Sequence, residues 1–176
     1  DLVTAEFLTD CSIVDGQIKP AVDQNMVKVA AVDRANLSGR MYVGLIRGFG
    51  LTSGALACSA AWDTSDIIVV GANDEDMAYA VNRIHMLQGG AVVCENQQIL
   101  VELALPIFGI MSDLPINVIA QKLEEIKSAA SKLGVAFSDP LLTLITLTGA
   151  AIPYLRICEE GLVNLKDGQR LSLFAD

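Results

Sequence analysis

Apolar and polar positions along the chain change period several times, and each change predicts an element. Val27 to Val32 and Met41 to Ile46 are short β-branched runs that predict strands, separated by the turn chemistry of Arg34-Ala35-Asn36-Leu37-Ser38-Gly39. Ala55 to Ala61 is small and apolar and is read as a strand by the pattern of its neighbours. Ile67 to Val70 is too brief for a helix and suits a strand covered on both faces. Ala91 to Cys94 and Ile99 to Leu105 flank the polar Glu95-Asn96-Gln97-Gln98 and predict a hairpin that Pro106 closes.

Two stretches carry helical spacing instead. From Asp74 to Leu87, Met77, Val81, Ile84 and Gln88 make a stripe widened by Ala78 and Ala80, with Asn73 as cap and Gly89-Gly90 as terminator. Ile116, Ile119, Leu123, Ile126, Ala130 and Leu133 recur three and four apart, with Pro115 near the first turn and Gly134 at the stop. At under three heptads this helix is expected to pack on a sheet within the domain rather than in a coiled coil. The threonine-interleaved run Leu141 to Leu147 is expected to be a strand or a groove-lining loop, and the alternating Tyr154 to Cys158 a strand. The fold class is therefore α/β (mixed α+β): a mainly β-sheet core covered by two main helices at about 74–88 and 115–133. Residues 1–25, with a hairpin turn at Asp15-Gly16, read as a lead-in segment and 26–176 as the domain proper.

Composition narrows the chemistry. Of 176 residues 52% are hydrophobic but only 5% aromatic, so the core is built from aliphatic side chains and alanine, and a disordered chain is excluded. A net charge of −9 without any basic cluster argues against nucleic acid or an anionic membrane as partner. Cys11, Cys58, Cys94 and Cys158 form no Cys-x-x-Cys pair and read as reduced core residues. Leu141 to Ile152, the most apolar stretch, would reach about 18 Å as a helix, short of a bilayer core of roughly 30 Å. The acidic start, Asp1-Leu2-Val3-Thr4-Ala5-Glu6, lacks the apolar segment of a signal peptide, and a cytoplasmic location is expected.

Candidate chemistry is sparse. Gly48-x-Gly50-x-x-x-Gly54 follows a strand, but the next segment also reads as a strand, whereas a dinucleotide fingerprint needs a helix there. Asp74, Glu75 and Asp76 sit at consecutive helical positions, which suits capping and solvation better than convergence on one ion. His85, the single histidine, lies in the last helical turn, where the negative end of the dipole favours it. No cofactor-binding, metal-binding or catalytic set is expected within the chain. One loop, Trp62-Asp63-Thr64-Ser65-Asp66, combines an indole that could cover a planar ring with a carboxylate that could accept from an amino group.

Several blocks, in order, resemble one family. Gly-Phe-Gly-Leu (48–51), Gly-Ala-Leu-Ala (54–57), Ile-Ile-Val-Val-Gly-Ala-Asn-Asp-Glu-Asp-Met (67–77) and Ala-Val-Asn-Arg (80–83) are similar to the C-terminal domain of adenine deaminases of the amidohydrolase superfamily. The likeness continues through Gly89-Gly90, Leu105-Pro106-Ile107, Met111-Ser112-Asp113-Leu114-Pro115, Asp139-Pro140 and Gly161-Leu162-Val163. It implies a parent hydrolase converting adenine and water to hypoxanthine and ammonia, in purine catabolism. The parent's divalent metal (manganese, iron or zinc) would be held by an upstream barrel that is this chain's partner, and the chain alone would be inactive. The resemblance further implies that the lead-in joins a small β subdomain and that Trp62, Asp63, Thr64, Ser65 and Asp66 face the active site. Such deaminases typically read His-Asp-Ser-His-Asn there, so this chain keeps the aspartate and has Trp62 and Ser65 where the histidines stand. Apolar surface left bare without the barrel would favour self-association, so a homo-oligomer is expected, and the alternative readings are a non-catalytic oligomerisation or assembly module or a parent hydrolase acting on a different substrate.

Overall fold

The computed structural model describes residues 3–36 and 38–174; the Asp1-Leu2 start and Leu37 of the predicted turn lie outside them. Six strands form an antiparallel sheet: β3 (Met26–Val32), β4 (Met41–Arg47), β5 (Ala55–Cys58), β6 (Ile67–Gly71), β7 (Gly90–Glu95) and β8 (Gln98–Ala104), in spatial order β4-β3-β6-β5-β7-β8. Before them, β1 (Ser12–Val14) and β2 (Gln17–Lys19) make the separate hairpin turned by Asp15 and Gly16. After them, β9 (Leu155–Cys158), β10 (Gly161–Asn164) and β11 (Arg170–Leu171) make a small third sheet.

The large sheet is covered on both faces, which is why its two central strands, β5 and β6, carry only apolar residues and glycine. Helix α1 (Asp74–Met86) packs Met77, Ala80 and Ile84 on Ala30, Ala55, Ala57, Val69 and Val92. On the opposite face, α2 (Ile116–Lys132) and α3 (Pro140–Thr146) bring Ile126, Ala130, Leu144 and Ile145 onto Val29, Leu56, Ile68 and Val93. Alanine dominates the α1 face, so the helix backbone can lie close to the sheet. Three buried or half-buried polar links join the layers: Lys28 Nζ meets both oxygens of Asp74 at 2.7 Å, Arg83 binds Glu102 through two 2.7 Å bonds, and Asp76 accepts from the β7–β8 turn.

Several sequence expectations need correction. The run expected as a strand or loop is helical from Leu141 to Thr146, with Leu147 as its C-cap: Asp139 caps Leu142 N at 2.9 Å, Pro140 occupies the first turn, and Thr143 and Thr146 donate back to the carbonyls of Asp139 and Leu142. Those back-bonds satisfy the hydroxyls that made the run look strand-like. The Ala55 strand stops at Cys58. The first helix ends at Met86 rather than at about 88, so Gln88 lies beyond it, and both Ala78 and Gln88 are exposed rather than on the buried stripe. The acidic residues there are not simply solvated, because Asp74 pairs with Lys28 while Asp76 is buried, and Asn73 is the side chain that caps the helix, accepting from Asp76 N at 2.7 Å.

The end of α1 differs too. Gln88, at φ 62°, takes the left-handed position, and the backbone closes with Gly89 N donating to Ile84 O and Gln88 N to His85 O. Gly89 is needed for a different reason: a Cβ there would lie 2.4 Å from Gly109 Cα. His85 lies in the last turn as expected, but is exposed rather than partly buried. In α2 the stripe is only half used, since burial begins at Ile126 while Ile116 and Leu123 remain exposed.

Candidate functional site

The register places one set of loops together. Val32 pairs with Ile67, Cys58 with Ile68 and Ala91, and Ala91 with Leu103, so the segments after β3, β5 and β8 emerge at the same end of the sheet as the one before β6. Trp62–Asp66 is the β5–β6 connection at this end. It is compact: Ser65 N donates to Ala61 O at 2.8 Å, Thr64 Oγ1 accepts from Asp66 N, and Ser65 takes a left-handed φ of 62°.

Each candidate side chain has a defined environment. Trp62 is 51% exposed and is not one of the core side chains. Asp63 is exposed, and its Oδ2 accepts Ala150 N at 2.6 Å, which leaves Oδ1 for another donor. Asp66 is 1% exposed, accepts Glu159 N at 3.2 Å and faces the Glu159 side chain. Burial, reinforced by the Glu159 charge, pushes its carboxyl up to about 6 from an ordinary 3.8, despite the opposing Thr64 hydrogen bond.

Residues that carried no sequence signal hold this loop in place. Arg34 donates from Nε to Ser65 O at 3.1 Å and from Nη2 to Phe108 O at 2.8 Å, clamping the β5–β6 loop to the segment after β8. Gly109 lets the guanidinium in, since a Cβ there would lie 2.5 Å from Arg34 Cζ. Ser59, fully buried, donates to Gly109 O at 2.6 Å and accepts Gly90 N at 2.8 Å. Phe108, between these anchors, has φ 54° and is 80% exposed. Arg34 and Phe108 are 74 residues apart, a separation at which no local pattern exists to read.

The remaining candidates do not join this site. Gly48, Gly50 and Gly54 lie between two strands with no helix opening on them, and Gly50 N donates to Asn25 Oδ1 at 2.7 Å. A groove of about 1110 Å³ runs between β4, the small third sheet and the lead-in; Phe7, Tyr42, Phe49, Phe137 and Leu155 line it, and none of Trp62 to Asp66 does. The lead-in crosses it with Arg47 stacked over the Phe7 ring at 4.6 Å. Cys58, Cys94 and Cys158 are buried free thiols, and burial pushes Cys58 up to about 11 and Cys94 to about 12, so neither is a thiolate at neutral pH. Among the described residues no three His, Cys, Asp or Glu side chains converge to hold a metal ion, and no helix is long and apolar enough to cross a membrane.

Comparison with known proteins gives a consistent answer. Residues 1–169 match the family described as the adenine deaminase C-terminal domain. Proteins named adenine deaminase are similar over nearly all of the chain: one from Brucella abortus (strain 2308) is 35% identical over 164 residues, covering 93% of this chain and 28% of the relative. One from Methylobacterium nodulans is 45% identical over 150 residues, 85% of this chain and 26% of the relative. One from Thermosipho melanesiensis is 35% identical over 175 residues, 99% and 30% respectively. The chain thus spans less than a third of the length of the curated relatives it matches.

Proposed function

The chain belongs to the adenine deaminase C-terminal domain family, and from that membership we propose that it is the C-terminal part of a hydrolase that converts adenine and water to hypoxanthine and ammonia. The observation that carries the proposal is the continuous match of 85–99% of this chain to proteins named adenine deaminase. The residues described do not suit a divalent metal, so any manganese, iron or zinc of the whole enzyme is assigned to polypeptide outside them, in the proposed upstream barrel. When bound, such an ion would supply an activated water.

What this chain would contribute is recognition and order at the edge of the reaction site. Asp63, fixed through Oδ2 by Ala150 N, offers Oδ1 to an amino or ring N–H, and the Trp62 indole offers a flat apolar cover. Arg34 and Ser59 are positioning residues that keep the loop from drifting. The loop has no histidine at positions 62 and 65, and burial raises the carboxyl of Asp66 to about 6. The test is to purify the longer protein containing this chain with each of the three metals and follow hypoxanthine and ammonia. Conversion of adenine supports the proposal; no conversion with any metal, in a protein shown to be folded, rejects it.

A second reading, a non-catalytic assembly module, is favoured by the exposed apolar residues Phe108 and Ile116, at 80% and 79%. A stable homodimer that persists when adenine turnover is absent would distinguish it.

A further inference from the structure

The β9–β10 connection is the two-residue turn Glu159-Glu160 between Cys158 and Gly161, and its two acidic side chains have opposite surroundings. Glu160 accepts from Arg170 at 2.6 Å and lies 3.8 Å from Arg40. Among the described residues Glu159 has no ion-pair partner, and its side chain faces the carboxyl of Asp66 on the β5–β6 loop. Asp66 is 1% exposed, and the Glu159 amide donates to its Oδ2 at 3.2 Å. Two carboxyl groups 93 residues apart in sequence thus meet at a position closed to water on the Asp66 side. Such a pair holds one proton between its members and repels once both are charged.

Among the described residues no cation bonds this pair. The Arg34 guanidinium is engaged by Ser65 O and Phe108 O, and Arg156 of β9, whose Nε is buried without a hydrogen-bond partner, bonds neither carboxyl. From the end of β3 comes a further negative group, Asp33, beside the Val32 that pairs with Ile67; Ser38 and Asn36 hold its carboxyl down to about 2. The loop itself adds Asp63, which accepts Ala150 N, and the Thr64 hydroxyl, which favours the charged form of Asp66. β5 contributes the thiol of Cys58, pushed by burial up to about 11, and β9 the buried Cys158, bonded to Gly161 O. The segment after β8 brings only apolar residues and backbone carbonyls to this end.

We infer that Asp66 and Glu159 form a proton-operated latch between the β5–β6 loop and the β9–β10 turn, closed while the pair holds a proton and loosened once that proton has passed to solvent. Closed, a protonated carboxyl donates to its neighbour while the Glu159 amide supplies a second bond. Open, two like charges are opposed by one N–H, and parting the loop from the turn lets water reach both. The carboxyl of Asp66 titrates at about 6 against an ordinary 3.8, so the closed contact is favoured in acid and is lost as pH rises from about 4 through 6. Arg34 and Asp63 tie the same loop to the segment after β8 and to Ala150, whereas Asp66 ties it to the third sheet. Because the loop carries Trp62 and Asp63, the latch sets how firmly the recognition residues are held, a consequence that rests on the proposed function.

The test is hydrogen exchange of the longer protein, read by mass in peptides spanning 61–66 and 158–161. Rates are corrected for the pH dependence of intrinsic exchange and taken at times when α1 remains protected. Exchange in both peptides is expected to rise about tenfold between pH 5 and 7 and to level off above that. Asp66→Asn, which has no proton to lose, is expected to abolish the step. Glu159→Gln keeps the backbone donor, removes the facing charge and is expected to move the step to lower pH. A flat response in the unaltered protein, a step that survives Asp66→Asn, or one unmoved by Glu159→Gln overturns the latch. The readout needs no turnover: a step in a folded protein that leaves adenine unchanged rejects the adenine reaction and keeps the latch, and a flat response in an active protein does the reverse.

Discussion

Asp76 Oδ1 accepts the Gln97 amide at 2.7 Å, joining the first turn of α1 to the β7–β8 hairpin. The other oxygen accepts Asn96 N at 3.2 Å and the Asn73 side chain at 2.9 Å, so one buried carboxylate completes both a helix cap and a two-residue turn. Asn96 and Gln97 both have positive φ, at 52° and 57°, without a glycine to ease it. The carboxylate compensates for that turn chemistry. Asp76→Ala leaves two amides without their acceptor and is expected to cost roughly 2–4 kcal/mol in urea unfolding. A loss below about half a kcal/mol would mean the turn holds itself.

Asp66 gives a pH dependence of defined sign. Its carboxyl titrates at about 6 in the fold against an ordinary 3.8, so the folded state binds the proton more tightly. Stability from this group is fully present below the unfolded value and is lost as pH rises from about 4 through 6. Asp66→Asn, which keeps an acceptor for Glu159 N, is therefore expected to stabilise the protein at pH 7–8 by roughly 1–3 kcal/mol and to gain nothing at pH 3–4. Melting curves of the two proteins across that range check it, and parallel curves would refute the buried-carboxyl account.

Adjacent residues at the end of α1 should respond in opposite directions. Gln88→Gly relieves a left-handed conformation and is expected to add about 0.5–1 kcal/mol. Gly89→Ala forces a methyl to within 2.4 Å of Gly109 Cα and 2.6 Å of Leu105 O, and is expected to cost about 2 kcal/mol or more. Chemical denaturation reads both, and equal signs would contradict the assignment of the two roles.

Asp63→Ala separates site from scaffold. The bond to Ala150 N is exposed, so its loss is expected to change stability by at most about 1 kcal/mol. In the longer protein, turnover should fall by about tenfold or more, because a hydrogen-bond acceptor is removed from the proposed recognition loop. Unaltered kinetics would place the loop away from the reacting centre.

The parts of the fold that follow from local periodicity are legible in the chain. Ile67 to Val70, the Asn73 cap and the regular spacing of Ile126, Ala130 and Leu133 are all read correctly from neighbours in sequence. Leu141 to Leu147 is misread because threonine alternation outweighs the Asp139-Pro140 start signal, although that signal is the one the structure uses. The candidate loop stands out through its resemblance and its Trp-Asp pairing. Its supports, Arg34 with Phe108 and Ser59 with Gly109, are invisible because each pair is brought together only when distant strands align.

The strand order also sets a schedule for biosynthesis, counted by position within this domain and not by the length of the whole nascent polypeptide. β3 must wait for β6 to gain its second neighbour, and β5 is flanked only by β6 and β7, so the centre of the sheet cannot be completed until residues beyond Glu95 have left the ribosome. Pairings that span so much sequence close slowly. During that interval the Ile67 to Val70 segment has two apolar faces and an open edge, which makes nascent chains that end before about residue 100 the species most exposed to aggregation and to chaperone capture.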